Sequence, residues 1–182
     1  MERDHEALLV ARVADGDRAA FGELLKTHQQ PLVRYARRML SDPGAADDVV
    51  QETFLRLWTR AGSYKSSSAR LTTWLHNIAH NLCVDSFRRN ARLSFTDDES
   101  QLEVTTAGPE GDAESTDSAH RVRTALEGLP ERQRSALLMC HYQGLSNREA
   151  ATVLDVSVDA LESLLARARR RLREELLSHV ES

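Results

Sequence analysis

Between residues 93 and 119 the chain reads LSFTDDESQLEVTTAGPEGDAESTDSA, a run with eight carboxylates and neither lysine nor arginine. Glycine, proline, serine and threonine are scattered through it, and its few apolar side chains follow no sustained period. Such a segment cannot bury enough surface to offset the entropy of ordering it. It therefore divides the 182 residues into two bodies, 1–92 and 120–182, joined by a flexible acidic linker at 93–119. The stretch also carries the whole excess of acid. The net charge is -4, yet residues 1–92 hold 14 basic against 11 acidic side chains, and residues 120–182 hold ten arginines against nine acids. Both bodies are thus mildly basic and compatible with a polyanion, which the overall charge conceals.

Helical spacing recurs in both bodies and no strand pattern appears in either, so the expected fold is all-α, two small helical domains. In the first, residues 6–14 read as one helix closed by Asp15-Gly16. Asp17 caps a second, in which Phe21, Leu24 and Leu25 recur and Pro31 is expected to bend or restart the helix before Leu32, Tyr35 and Met39. Asp42-Pro43 opens a third, a cap followed by proline at the first helical position, with Val49, Val50, Phe54, Leu55 and Trp58 on its apolar face. Gly62 ends it. Residues 63–68 form a small polar loop, and a fourth helix over about 69–89 turns Leu71, Trp74, Leu75, Ile78, Leu82 and Phe87 inward. The second body has helices near 120–126 and over 131–142.

Residues 144–173, GLSNREAATVLDVSVDALESLLARARRRLR, have the order of a helix-turn-helix. Ser146 and Glu149 make a capping box, and Asp155-Val156-Ser157 turns the chain. Ser157 caps a second helix whose Leu161, Leu164, Leu165, Ala168 and Leu172 form a buried stripe. The opposite side presents Glu162, Ser163, Ala166, Arg167 and Arg170, small or hydrogen-bonding residues suited to base edges and phosphates. An αα-hairpin with a solvated basic face has the same pattern.

Other classes find less support. No acid/base pair, nucleophile setting or phosphate loop marks an enzyme, no small-molecule substrate is indicated, and no cofactor is expected. No apolar run is long enough to span a bilayer. The charged N-terminus lacks a signal-peptide core, so a cytoplasmic location is expected. Cys83 and Cys140 lie in apolar-periodic helices and read as packing residues. His76, His80 and Cys83 share one helix at spacings a metal site uses, but no carboxylate or cysteine cluster completes it. The two histidines are expected beside a nucleic-acid or partner surface.

Three blocks in order carry a family resemblance: DDVVQETFLRLW from residue 47, SYKSSSARLTTWLHNIAHNLCVDSFRR from 63, and LEGLPERQRSALLMCHYQGLSNREAATVLDVSVDALESLLARARRRL from 126. Together they resemble the extracytoplasmic-function sigma factors of the bacterial sigma-70 family, over nearly the whole chain outside the linker. The resemblance implies that residues 1–92 are region 2 and residues 120–182 are region 4. It implies that Asp47, Asp48, Gln51, Glu52 and Leu55 dock on the clamp helices of the largest subunit of core RNA polymerase. It assigns Tyr64, Lys65, Ser66, Asn77, His80, Asn81 and Arg88 to the melted -10 element of promoter DNA, with an unpaired base held between the loop and Asn81. Glu162, Ser163, Ala166, Arg167 and Arg170 fall on the duplex -35 element, and an anti-sigma factor is an implied partner.

Two positions depart from the family pattern. Glu162 stands where Lys or Arg is usual, and Leu164 where Arg is frequent. A carboxylate repels phosphate but accepts from a cytosine amino group, so Glu162 bears on the -35 preference. It also leaves open a sigma-like decoy that titrates an anti-sigma factor without transcribing. A stand-alone helix-turn-helix repressor leaves the first domain without a purpose. The resemblance further implies that the linker acids follow a basic channel in polymerase, where composition alone reads them as a solvated spacer.

Overall fold

The computed structural model describes residues 2–94 and 113–178. Eight α-helices account for most of them: α1 Glu2–Ala14, α2 Arg18–Met39, α3 Pro43–Arg60, α4 Leu71–Ser94, α5 Ala113–Glu127, α6 Glu131–Leu137, α7 Asn147–Leu154 and α8 Val158–Ser178. A 3-10 turn, Ala61–Ser63, follows α3, and a π-helical turn, Leu138–Tyr142, extends α6. No strand occurs among the described residues. The expected linker loses both of its ends to helix, since α4 continues to Ser94 and α5 begins at Ala113. Residues 95–112, where most of the acidic charge lies, fall outside the described residues.

Local chemistry sets most boundaries where the sequence placed them. The Asp17 carboxylate accepts from the amides of Ala19 and Ala20 at 2.9 and 3.1 Å and starts α2. Asp42 accepts from Gly44 at 2.9 Å ahead of Pro43 at the start of α3. Ser146 and Glu149 form the capping box, with the Ser146 amide donating to Glu149 at 2.9 Å and the Glu149 amide to the Ser146 hydroxyl at 3.2 Å. Asp155 closes α7 in the left-handed region at φ 51°, a conformation that Asp tolerates better than most residues with a Cβ. The Ser157 hydroxyl then accepts from Ala160 at 3.1 Å and starts α8. Removing the Ser146 hydroxyl leaves the Glu149 amide of the first turn unbonded, so Ser146→Ala is expected to cost about 1 kcal/mol, read as a lowered urea midpoint at unchanged slope.

Two differences from the sequence reading have clear causes. Helix α2 runs through Pro31 as one element, although an interior proline removes a hydrogen bond and costs about 3 kcal/mol. Leu24, Leu32, Tyr35, Ala36 and Met39 on its inner face are all buried, and seating that stripe on one continuous helix outweighs the local loss. The helix expected over 131–142 widens into the π turn from Leu138. There Leu138 and Met139 stay buried while Tyr142 reaches the surface.

In the first group α2, α3 and α4 pack together with α1 against them, around Leu24, Leu32, Tyr35, Leu57, Leu71 and Leu75. Phe21 sits edge-on to both Phe54 and Trp58, at 6.3 and 5.3 Å between ring centres. In the second group α8 lies across α5, α6 and α7 through Leu161, Leu165 and Ala168. The two groups are in direct contact, α2 touching α5, α6 and the π turn, and α4 touching α7.

Candidate polymerase and nucleic-acid interfaces

Helices α3 and α4 enclose an open cleft of about 960 Å³. Asp48, Gln51, Glu52 and Leu55 line one wall, on the exposed side of α3, because Val49, Val50, Phe54 and Leu57 claim the other side for the core. Leu55 is 54% exposed, an apolar side chain with no core to enter. The opposite wall carries Leu82, Asp85, Arg88, Arg89 and Arg92 of α4. Four of the five residues expected to meet polymerase therefore share one concave surface. Asp47 does not line it and pairs instead with Arg37 at 3.2 Å.

The carboxylates of this face do not stand alone. Glu52 is bonded to Arg56 at 2.8 Å, one turn along the same helix. The cleft is a mixed-charge surface with carboxylates on one wall and guanidinium groups on the other. Arg88, expected with the DNA-reading face, lines this cleft and lies 3.9 Å from Asp85. Arg56, Arg89 and Arg92 were missed by sequence reasoning. Helical periodicity puts them outside the core, Arg89 and Arg92 exposed and Arg56 half-buried, but only the packing of α4 beside α3 shows what they face.

The loop after α3 is braced rather than free. Tyr64 is half-buried, its ring 5.6 Å from that of Trp74, and its hydroxyl donates to the Ala69 carbonyl at 3.0 Å. Burial raises its pKa above the usual phenol value. Tyr64, which the resemblance assigns to the melted -10 element, thus also packs within the loop and shapes it. Arg3 of α1 donates to the Ser66 carbonyl from two guanidinium nitrogens and pins the loop from outside. Lys65 is exposed.

Asn81 is exposed on α4 and its amide donates to the Asn77 side chain at 3.3 Å, so the two amides one turn apart present a joint polar patch. His80 does not join them. It is buried, with the Tyr35 and Ser135 hydroxyls 3.1 and 3.3 Å from its Nδ1. Burial lowers its pKa to about 4, so the ring is neutral at pH 7. The helical turn that was expected to expose it points it instead at α2 and α6. His76 is buried too, its Nδ1 2.8 Å from the Thr72 carbonyl and its Nε2 3.3 Å from the Gln143 side chain. Among the described residues no group of three or more His, Cys, Asp or Glu side chains is placed to hold a metal ion. Cys83 is buried and its thiol is pushed up to about 12.

On α8, Leu161, Leu165 and Ala168 are buried, Leu164 and Leu172 half-buried, and Glu162, Ser163, Ala166, Arg167 and Arg170 all exposed. The expected reading face and stripe are therefore separated as the periodicity required. Glu162 accepts from the Asn147 side chain at 3.4 Å, which ties the unusual carboxylate to the start of α7. Arg169, not assigned to DNA, donates to His141 at 2.9 Å.

Comparison with known proteins agrees with this architecture. The sigma-70 region 2 family matches residues 24–93, and the sigma-70 region 4 family matches residues 119–172. The chain is 37% identical over 171 residues to the ECF RNA polymerase sigma factor SigM of Mycobacterium tuberculosis, covering 94% of this chain and 84% of that protein. It is 30% identical to SigE of Mycolicibacterium smegmatis, covering 91% of this chain and 66% of that longer protein. Among solved structures it resembles the sigma factor RpoE in complex with the anti-sigma factor NepR from Bartonella quintana. The TM-score there is 0.75 at 26% identity, over 86% of this chain and 96% of that one. Two helical bodies, one carrying the cleft of α3 and α4 and the other a helix-turn-helix, define a sigma-70-type transcription initiation factor. The chain belongs to its extracytoplasmic-function branch, the ECF RNA polymerase sigma factors.

Proposed function

We propose that this chain binds core RNA polymerase through the α3–α4 cleft and directs initiation by reading two promoter elements of different physical kind. The face of α8 made by Glu162, Ser163, Ala166, Arg167 and Arg170 enters duplex major groove at -35. Asn77 and Asn81 of α4, with Lys65 and Ser66 of the loop, take a base of the melted -10 strand. Capturing an unpaired base offsets the few kcal/mol that flipping costs, so a protein with no catalytic site of its own still favours strand opening. The observation that carries this reading is that Glu162, Ser163, Ala166, Arg167 and Arg170 are exposed along one side of α8, while Asn81 and Lys65 are exposed on the body that carries the mixed-charge cleft. RpoE is described in complex with an anti-sigma factor, and an anti-sigma partner acting on this chain in the cytoplasm is part of the proposal. Among the described residues no helix is long and apolar enough to cross a membrane.

The test is in vitro transcription from a genomic promoter library by core polymerase, with and without this chain. New start sites that appear only with the chain support the reading, and their absence alongside stable core binding would instead favour the decoy. Asn81→Ala is expected to impair open-complex formation at least tenfold while leaving closed-complex binding close to wild type. The lost bond exists only with an unpaired base, so a pre-melted promoter should restore little of the defect.

A further inference from the structure

Helix α1 lies outside the segment that matches region 2, which begins at residue 24, yet it reaches the loop assigned to the melted -10 strand. The sequence placed this helix over 6–14, and the structure starts it at Glu2, which adds Arg3 to its first turn. Arg3, Glu6, Val10 and Val13 recur at i, i+3, i+7 and i+10, along one face of a helix. Val10 and Val13 enter the core, and the Glu6 carboxylate lies 3.0 Å from Nε2 of the buried His28 on α2. Arg3 stands at the outer end of the same face. There its Nε donates to the Ser66 carbonyl at 3.1 Å, and its Nη2 donates to the same oxygen.

The loop needs such a hold at its tip. Its base is packed, with Tyr64 against Trp74 and the Tyr64 hydroxyl on the Ala69 carbonyl. The tip, residues 65–68, is a turn closed by the Ser68 amide on the Lys65 carbonyl at 3.0 Å. Lys65, Ser67 and Ser68 are exposed and Ser66 is half-buried. A lysine followed by three serines brings no apolar side chain to anchor that turn. A loop that its ligand must order gives up affinity to the ordering, whereas one held beforehand does not. A guanidinium forked onto a main-chain carbonyl fixes the backbone and leaves the Lys65 and serine side chains to the ligand.

We propose that Arg3 is a positioning residue for base capture: α1, seated on α2, holds the tip of the loop in the shape that receives the unpaired -10 base. This rests on the assignment of Lys65 and Ser66, with Asn77 and Asn81, to the melted strand. Arg3 acts through the Ser66 carbonyl and not through its charge. A neutral donor in the same place therefore serves in its stead, which separates this role from a phosphate contact, where the cation itself is needed. Glutamine supplies that donor, since its Nε2 stands as many bonds from the backbone as the arginine Nε.

The test uses holoenzyme assembled from core and the full chain, with the non-template -10 strand of a promoter that the wild-type holoenzyme selects. Fluorescence anisotropy is read on the intact single strand and on strands carrying an abasic site at each position in turn. The captured base is the position where the abasic site costs wild type most. Arg3→Ala should bind the intact strand at least about fivefold more weakly, and the strand abasic at the captured base within about twofold of wild type, because a lost brace matters only to the base it helps seat. Arg3→Gln should recover most of that loss. Arg3 is exposed in the first turn of α1, so both variants should keep the helical circular dichroism of wild type. Equal weakening on both strands, or an Arg3→Gln chain as weak as Arg3→Ala, would make Arg3 a phosphate contact and overturn the proposal. An Arg3→Ala chain that binds like wild type where Asn81→Ala does not would overturn it as well, and leave the pocket standing. If no abasic site weakens wild type, the base pocket itself is removed, and the role of Arg3 with it.

Discussion

Reversing charge at Asp48 and Glu52 together, as Asp48→Lys with Glu52→Lys, is expected to weaken binding to core polymerase at least ~100-fold, since like-charge juxtaposition at an interface costs several kcal/mol. Both side chains line the cleft between α3 and α4, and neither supports the core, which Val49, Val50, Phe54 and Leu57 build from the other side of the helix. The double variant should therefore fold as wild type does. The reversal also breaks the bond from Arg56 to Glu52 and leaves Arg56 beside a lysine, so the whole α3 wall becomes basic and faces the arginines of α4. Co-purification with core, measured beside the circular dichroism spectrum, checks this. Retention equal to wild type would show that the cleft is not the docking surface.

The second large effect is on stability against pH. Burial holds His80 at a pKa of about 4 against 6.5 when unfolded. It also lowers His76 and His28, although Glu6, 3.0 Å from His28, opposes the shift there. Around His80 stand the Tyr35 and Ser135 hydroxyls, with Arg132 adding to the depression. Below pH 6.5 the unfolded chain takes up a proton that the folded chain refuses. The stability of the folded form is thus fully present above 6.5 and declines as pH falls toward 4. Between pH 7 and 5 His80 alone accounts for a loss of about 2 kcal/mol at 1.36 kcal/mol per pKa unit. Urea titrations at the two pH values measure it, and His80→Gln should flatten the dependence. A His80→Gln chain with an unchanged slope would mean that His80 does not carry the effect.

Much of the exposure pattern of both proposed faces was legible because the signals are local. The i, i+3, i+4 spacing of Leu161, Leu164, Leu165, Ala168 and Leu172 identifies the inner side of α8 and hence the exposure of Glu162, Ser163, Ala166, Arg167 and Arg170. Caps at Asp17, Asp42, Ser146 and Ser157 set helix starts through bonds spanning two or three residues. The readings that changed were those for residues whose surroundings come from afar in sequence. His80 lies on the turn that carries Asn81, yet its neighbours are Tyr35 and Ser135, 45 and 55 residues away. Arg88 has the spacing of a DNA-facing residue but lines the cleft that α4 forms with α3. Tyr64 is an aromatic in a polar loop, and nothing in the loop's own composition announces Trp74 beneath it.

By itself the sequence determined an all-α chain of two bodies, the capped starts of their helices, the helix-turn-helix and its outward face, and the family to which the chain belongs. Each of these depends on periodicity, capping or ordered motifs, which act over a few residues and survive without knowledge of the fold. Only the tertiary structure decided that α2 runs unbroken through Pro31, that α3 and α4 enclose a mixed-charge cleft, and that the two bodies meet through His80, Ser135 and Arg134. Those outcomes depend on which surfaces find one another after the helices form. A hydrogen bond from Arg134 to Met39 spans 95 residues, and no local pattern encodes a partner at that distance.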